Sequence, residues 1–209
     1  MTGSDSMPAY SSLQREKGSD SSGKLNVASA GADKLMQNVE LNDLSTALGT
    51  GVGRKFNLPD LRYERVIIMT DADVDGAHIA ALLITFFYKQ MPDLIESGQL
   101  FLAMPPLYKL AVGSKSVYAR DDAHKDELMA TEFKNKKVEV SRFKGLGEMM
   151  PAQLKETTMN PETRTLARVS LPNGLEGPGE LVETLMGKKA EHRFKFIQEN
   201  ASFVEELDV

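Results

Sequence analysis

The first strongly patterned stretch of this chain is continuously apolar rather than alternating. Val66-Ile67-Ile68-Met69, inside the strand expected at Arg65 to Thr70, contains no polar residue, as in a strand buried on both faces of a parallel sheet. A long helix is predicted next, from about Ala77 to Ser97, ended by Gly98. A second strand is expected at Leu100 to Met104, stopped by Pro105-Pro106. Leu107–Val112 and Ser116–Ala119 flank Gly113 as the arms of a small β-hairpin, and residues 121–130 read as a short helix. From Lys137 to Phe143, Val138, Val140 and Phe143 fall among charged residues, which predicts a third strand of the main sheet, broken by Gly145-Leu146-Gly147. Helices near 151–157 and 179–204 form a tail. Ahead of the first strand, Asn42 or Asp43 is placed to cap a short helix running to Leu48 and closed by Gly49; a mobile loop, Gly49–Gly53, follows. Strands alternating with helices give an α/β class, and no internal repeat is visible.

Composition adds a boundary. Residues 1–23 are rich in Ser and Gly with few large apolar side chains, so they are expected to be disordered or a non-native leader. That leaves 24–150 as the α/β domain and 151–209 as the helical tail. With 209 residues, 41% of them apolar, the chain can bury a real core. The absence of Cys excludes disulfide scaffolds, thiolate metal sites and Cys nucleophiles. No apolar run is long enough to span a bilayer, and the first residues lack a signal-peptide pattern, so a soluble cytoplasmic protein is expected, with no membrane partner. The net charge of −5 argues against binding nucleic acid by bulk charge, so any such contact must be local.

The sharpest chemistry is Asp71, Asp73 and Asp75, set where the buried strand gives way to the helix. Open α/β sheets place ligands at this carboxyl end. Crowded carboxylates repel one another unless a cation sits among them, and hard oxygens in an open site suit Mg²⁺. Acids at a helix start also favour its dipole, and Asp75 alone fits an N-cap equally well. The run opens like a calcium loop, but Leu82 occupies the position where that loop needs Glu, and a strand rather than a helix precedes it. Gly18-Ser-Asp-Ser-Ser-Gly23-Lys24-Leu25 imitates a P-loop but has Leu25 in place of the metal-binding hydroxyl and no strand before it. His78, three residues after Asp75, is either a further contact to metal or phosphate or a solvated residue; His124 and His192 read as surface residues. A second informative run is Arg142-Phe-Lys144-Gly-Leu-Gly147-Glu148. Basic side chains beside paired glycines can bring backbone N–H groups close to a phosphate. Lys134, Lys136 and Lys137 extend this basic cluster, and a lysine-protected edge strand is the competing explanation.

Taken together, these motifs resemble the C-terminal part of the B subunit of bacterial type IIA DNA topoisomerases, the topoisomerase IV branch more than the gyrase branch. The resemblance runs through Leu48-Gly-Thr-Gly-Val-Gly53, Arg62-Tyr-Glu-Arg-Val-Ile-Ile-Met-Thr-Asp-Ala-Asp-Val-Asp-Gly-Ala-His78, Pro105-Pro-Leu-Tyr-Lys109, Arg142-Phe-Lys-Gly-Leu-Gly-Glu-Met149, Gln153-Leu-Lys-Glu-Thr-Thr-Met159 and the segment from Leu185-Met-Gly-Lys-Lys189 to Val209. It implies a TOPRIM fold, a Rossmann-like parallel sheet that binds Mg²⁺ through an acidic triplet matched here by Asp71, Asp73 and Asp75. It implies DNA contacts near Lys144, Arg142 and His78, with Lys24 in a shortened version of another DNA-proximal motif. It also implies an A-subunit partner whose tyrosine attacks double-stranded DNA, an A2B2 heterotetramer, and a nucleoid-associated cytoplasmic enzyme that passes one duplex through another at the expense of ATP. Two departures stand out. The family's catalytic Glu, in a Glu-Gly-Asp-Ser-Ala-Gly-Gly motif on the first strand, has no counterpart, so that strand is expected to be missing and its neighbour's edge open. The ATP-binding portion is likewise not found. The isolated chain is therefore expected to lack ATP-dependent strand passage, and the alternative is a non-catalytic fragment that binds metal, DNA or the A subunit.

Overall fold

The computed structural model describes residues 6–9, 27–171 and 178–201. In chain order it contains β1 (Ser6–Ala9), α1 (Ala32–Leu35), α2 (Val39–Leu48), β2 (Arg65–Ile68), α3 (Val74–Gln90), α4 (Pro92–Glu96), β3 (Leu100–Ala103), β4 (Tyr108–Val112), β5 (Lys115–Ala119), α5 (Asp122–Ala130), β6 (Glu139–Arg142), α6 (Pro151–Leu154), β7 (Leu166–Arg168), α7 (Pro178–Met186) and α8 (Ala190–Asn200). The strands form two sheets, one ordered β1-β2-β3-β7 and the other β5-β4-β6.

In the main sheet β1, β2 and β3 run parallel, and β7 closes the far edge antiparallel to β3. The α3–α4 connection between β2 and β3 is the crossover that a parallel pair requires. Val66 and Ile68, two residues apart, share one face of β2, and both are fully buried. They pack with Leu100 of β3 against Ile79, Leu83, Phe86 and Phe87 of α3; Met91, Leu94 and Ile95 beyond it and Leu41 and Leu48 of α2 complete this core. Phe86 and Phe87 meet edge to face, their ring centroids 5.6 Å apart. A smaller core of Tyr108, Leu110, Ala119 and Phe133 lies under the second sheet.

Several elements differ from expectation. Ser6–Ala9, inside the stretch expected to be unstructured, pairs in register with Arg65–Ile68, so the β2 edge expected to lie open is paired. Composition predicts whether a segment can build its own core, and says little about four residues whose backbone merely completes an existing ladder. The strand expected within 137–143 forms, but as β6 in the second sheet, antiparallel to β4, with Val140 opposite Leu110. Alternation identifies a half-exposed strand and leaves its partner open. The fourth strand of the main sheet is instead β7, whose three residues are too few to display a period. The long helix breaks at Met91-Pro92, where Pro92 has no N–H to continue the ladder and opens α4 at its first position. The tail likewise divides into α7 and α8 around residues 187–189, and α6 passes into one π-helical turn over Lys155–Met159. α2 starts at Val39 with Asn38 as its cap, accepting from Leu41 N at 3.0 Å, and ends as expected at Gly49, whose φ of 82° suits glycine.

Candidate metal and nucleic-acid site

The carboxyl end of β2 leads through buried Thr70 to Asp71, and the chain then turns at once into α3. α3 begins at Val74, three residues earlier than the apolar pattern suggested, because Asp73 caps it: Asp73 Oδ1 accepts from Gly76 N at 2.7 Å. The cap is therefore Asp73, not Asp75. Asp75 lies in the first helical turn, where a negative charge suits the dipole. The turn is tight enough to demand glycine at 76, since a Cβ there would lie 2.1 Å from the Asp71 carbonyl oxygen.

A second segment, distant in sequence, reaches this turn. Leu146 N donates to Asp71 Oδ1 at 2.8 Å across 75 residues of chain. Gly145 makes the approach possible, because a Cβ at that position would stand 3.0 Å from both Cγ and Oδ1 of Asp71. Glu148 in turn accepts from Lys144 N through Oε2 at 2.7 Å, closing Lys144–Glu148 into a compact loop. The two runs singled out in the sequence, the aspartates and the Lys-Gly-Leu-Gly segment, thus meet through a backbone hydrogen bond.

Asp71 and Asp73 also line a cleft of about 590 Å³ at the carboxyl ends of β2 and β3, with Thr70, Leu102, Met104, Arg120, Asp121 and Thr165 among its other walls. Asp75 and His78 are exposed on α3 and are not among the lining residues. Among the described residues, no three Asp, Glu or His side chains gather closely enough to hold an ion together. Mg²⁺ does not require such a cage: it keeps several waters and binds through one or two carboxylates plus substrate oxygens. Asp71 and Asp73 each commit Oδ1 to a backbone N–H, and among the described residues their Oδ2 atoms enter no hydrogen bond. Two exposed carboxylates of this kind fit a water-rich Mg²⁺ and would not fit a dehydrated metal.

Arg142, at the end of β6, faces Tyr108 of β4, with its guanidinium carbon 5.9 Å from the ring centroid; Lys125 Nζ stands 4.7 Å from the same centroid. Tyr108 donates to Asp122 Oδ1 at 2.8 Å, and Lys125 Nζ to the same oxygen at 2.6 Å. The hydrogen bond to Asp122, and then burial, raise the Tyr108 hydroxyl above its usual value. The Lys125 ammonium, and then the Tyr108 hydroxyl, hold Asp122 below the usual carboxylate range. Arg142 is thereby seated on a rigid aromatic platform, whereas Lys144 is exposed beside Asp71. Lys136 folds back on its own turn, 5.8 Å from the Phe133 centroid with a hydrogen bond to Glu132 O. His124 is half-buried at the start of α5, its N donating to Asp121 Oδ1 and its Nδ1 accepting from Arg120 N at 3.3 Å, and His192 is exposed on α8. Lys24 and the P-loop imitation at 18–25 lie outside the described residues. Sequence reasoning missed Arg120, Asp121 and Thr165 in the cleft, and included Glu148 in its motif without giving it a role. Asp121, an N-cap before a helical run, was the only one of these carrying a local signal.

Comparison with known proteins bears on this geometry. Residues 16–105 match the Toprim domain, a match that reaches into the first 23 residues, and residues 135–198 match the carboxyl terminus of the DNA gyrase B subunit. The chain is 69% identical to the B subunit of DNA topoisomerase 4 from Caulobacter vibrioides over 86% of its own length and 26% of the relative's. It is 58% identical to the protein of the same name from Bartonella bacilliformis, over 88% of this chain and 27% of that one. It is 48% identical to the DNA gyrase B subunit of Halalkalibacterium halodurans, over 88% and 29%. The chain thus spans about a quarter of the length of these curated relatives. Among the described residues, no helix is long and apolar enough to cross a membrane.

Proposed function

We propose, from the premise that this chain belongs to the type IIA DNA topoisomerase B-subunit family over its Toprim and carboxyl-terminal regions, that it forms part of the DNA cleavage–religation core of such an enzyme. In this reading Asp71 and Asp73 hold Mg²⁺, with Asp75 in support on the first turn of α3. Lys144 and Arg142 take DNA phosphates, and His78 and Lys24 extend the contact. A partner A subunit supplies the nucleophilic tyrosine, in an A2B2 assembly acting on double-stranded DNA in the nucleoid. ATP acts only through regions of the relatives outside the matched quarter. When bound, Mg²⁺ supplies positive charge that stabilises charge developing on phosphate oxygens. This chain's own residues do the positioning: the Asp73 cap fixes the start of α3, and the Leu146 N–H fixes Asp71. The Tyr108 platform orients Arg142.

The observation that supports this reading is the Leu146 N–H to Asp71 Oδ1 bond, which brings together the carboxylate assigned here to the cation and the loop assigned here to a phosphate. It also reconciles DNA binding with an overall charge of −5, since a bound cation reverses the local sign where a phosphate would approach. The second reading, a chain that binds metal, DNA or the A subunit without strand passage, uses the same cleft carboxylates. One experiment tests what both share. Binding of a labelled duplex to the chain plus a topoisomerase IV A subunit is followed by anisotropy with and without Mg²⁺. The wild type should bind more tightly with Mg²⁺, and Asp71→Ala should lose that increment. Equal Mg²⁺ dependence in both would remove Asp71 from the metal site.

A further inference from the structure

We propose that Glu148 is a positioning residue for the Asp71 carboxylate, so that the Lys144–Glu148 loop acts as a backbone clamp on the metal site. The inference rests on the reading of Asp71 as a Mg²⁺ ligand. The loop is a 3-10 turn closed by backbone bonds from Glu148 N to Gly145 O and from Met149 N to Leu146 O, both 3.2 Å, and two side-chain contacts tie it further: Glu148 Oε2 accepts from Lys144 N at 2.7 Å, and Leu146 N donates to Asp71 Oδ1 at 2.8 Å. Between them Gly145 lies so close to Asp71 that a single methyl group would reach the carboxylate at 3.0 Å. The Glu148 bond returns the chain on itself within four residues, and this turn aims the Leu146 N–H outward at Asp71. Asp71 itself is exposed, so among the described residues its rotamer is held by that N–H and by the close approach of Gly145. Fixing Oδ1 on a backbone donor leaves Oδ2 oriented in advance, which lowers the ordering cost of binding a cation. Groups that orient a metal's ligands in this way change affinity by about 10- to 100-fold when removed.

Lys144 belongs to the same loop, so its backbone and the Asp71 carboxylate are tied into one unit, from which the exposed Lys144 side chain extends. A phosphate that engages Lys144 would meet an ion whose ligand is set by the same turn.

Two conservative variants separate the accepted hydrogen bond from charge. Glu148→Gln keeps an acceptor oxygen at the same reach but no charge. Glu148→Asp keeps the charge but is one methylene too short to reach Lys144 N. Glu148 is exposed, so neither change disturbs a core. Mg²⁺ alone is titrated calorimetrically into the full chain, with Asp71→Ala as reference and melting curves recorded for each protein. Glu148→Asp should bind Mg²⁺ about tenfold more weakly or worse, and Glu148→Gln should stay within about threefold of wild type, at unchanged melting temperature. Exchange of the Leu146 amide should accelerate in Glu148→Asp only. Wild-type affinity in Glu148→Asp overturns the proposal. So does an equal loss in both variants, because the ion would then be sensing the charge of Glu148 rather than the position of Asp71. If wild type and Asp71→Ala give the same heats, what fails is the metal reading itself, and the Leu146 exchange rates still decide whether Glu148 sets the loop.

Discussion

Replacing Gly76 by Ala tests whether the turn from β2 into α3 is as tight as described. On helix propensity alone the change should help, since Ala is favoured over Gly by about 1 kcal/mol inside a helix. The local geometry opposes it. The new Cβ would stand 2.1 Å from Asp71 O, 2.8 Å from Asp71 C and 2.9 Å from Asp71 N, all backbone atoms that cannot rotate away. Ordinary contact needs roughly 3.5 Å, so α3 and the Asp71 turn must separate by more than about 1 Å. Forced overpacking of this kind costs about 1–3 kcal/mol, and the displaced helix start also strains the 2.7 Å Asp73–Gly76 cap, a bond worth about 1 kcal/mol. The propensity gain offsets only one of these losses, leaving a net destabilisation of about 1–3 kcal/mol. In urea unfolding, with a slope of about 2 kcal/mol/M, the midpoint should fall by roughly 0.5–1.5 M. Gly147→Ala is the control: it lies near the same site with no atom within 4 Å of its notional Cβ, and should stay within about 0.5 kcal/mol of wild type. A Gly76→Ala midpoint equal to or above wild type would refute the close approach, and with it the placement of Asp71 against the helix start.

Two further outcomes follow from the same geometry. Asp73→Asn should preserve stability to within a few tenths of a kcal/mol while Asp73→Ala loses about 1 kcal/mol, because Asn caps as well as Asp; a calorimetric loss of Mg²⁺ binding in both would assign Asp73 the second role of ligand, and retention in Asp73→Asn would leave it a cap alone. The Asp122 carboxyl is held below its usual value of 3.8 by Lys125 first and Tyr108 second, so its contribution is complete above that value and is lost as pH falls through the lower folded-state value. Thermal melts between pH 5 and about pH 2 should therefore show a shallower acid limb in Asp122→Asn than in wild type, and parallel limbs would refute the coupling.

The legibility of this fold in its sequence varied with the kind of signal each element carried. β2, β3 and the β4–β5 hairpin were readable because apolar runs and a Gly113 turn report directly on local structure. The partner of β6 was not, since period-2 alternation gives a strand its faces and never its neighbour. The helix starts failed in one consistent way. Both α2 and α3 begin three or more residues before the expected position, because Asn38 and Asp73 act as caps ahead of polar first turns that dilute the apolar period. Ser6–Ala9 was missed for a different reason: pairing along an existing edge is a long-range event for which four residues carry no local mark. In the candidate site, the aspartates and the Lys-Gly-Leu-Gly run were each legible as chemistry, and the resemblance joined them. What joins them physically, a backbone N–H at position 146, has no side-chain identity to read.

That distinction changes what kind of site this is. Three aspartates within five residues suggest a cage of charge, yet among the described residues no three acids converge. Instead each of the two cleft carboxylates is held by one peptide N–H, one from the helix that follows it and one from a loop 75 residues away. An acidic cage repels itself when empty and must be held together by the rest of the fold. Carboxylates pinned singly by backbone donors are stable in the absence of an ion, and each keeps an oxygen for it. The glycines at 76 and 145 are what permit this arrangement, because both N–H donors lie where backbone must pass within van der Waals distance of Asp71. On the proposed reading, the acidity that opposes DNA when counted over the whole chain is, at this point, a pair of pre-oriented carboxylates beside an exposed Lys144. Cation and phosphate would arrive at one unit, and the strength of each should depend on the backbone contact between them.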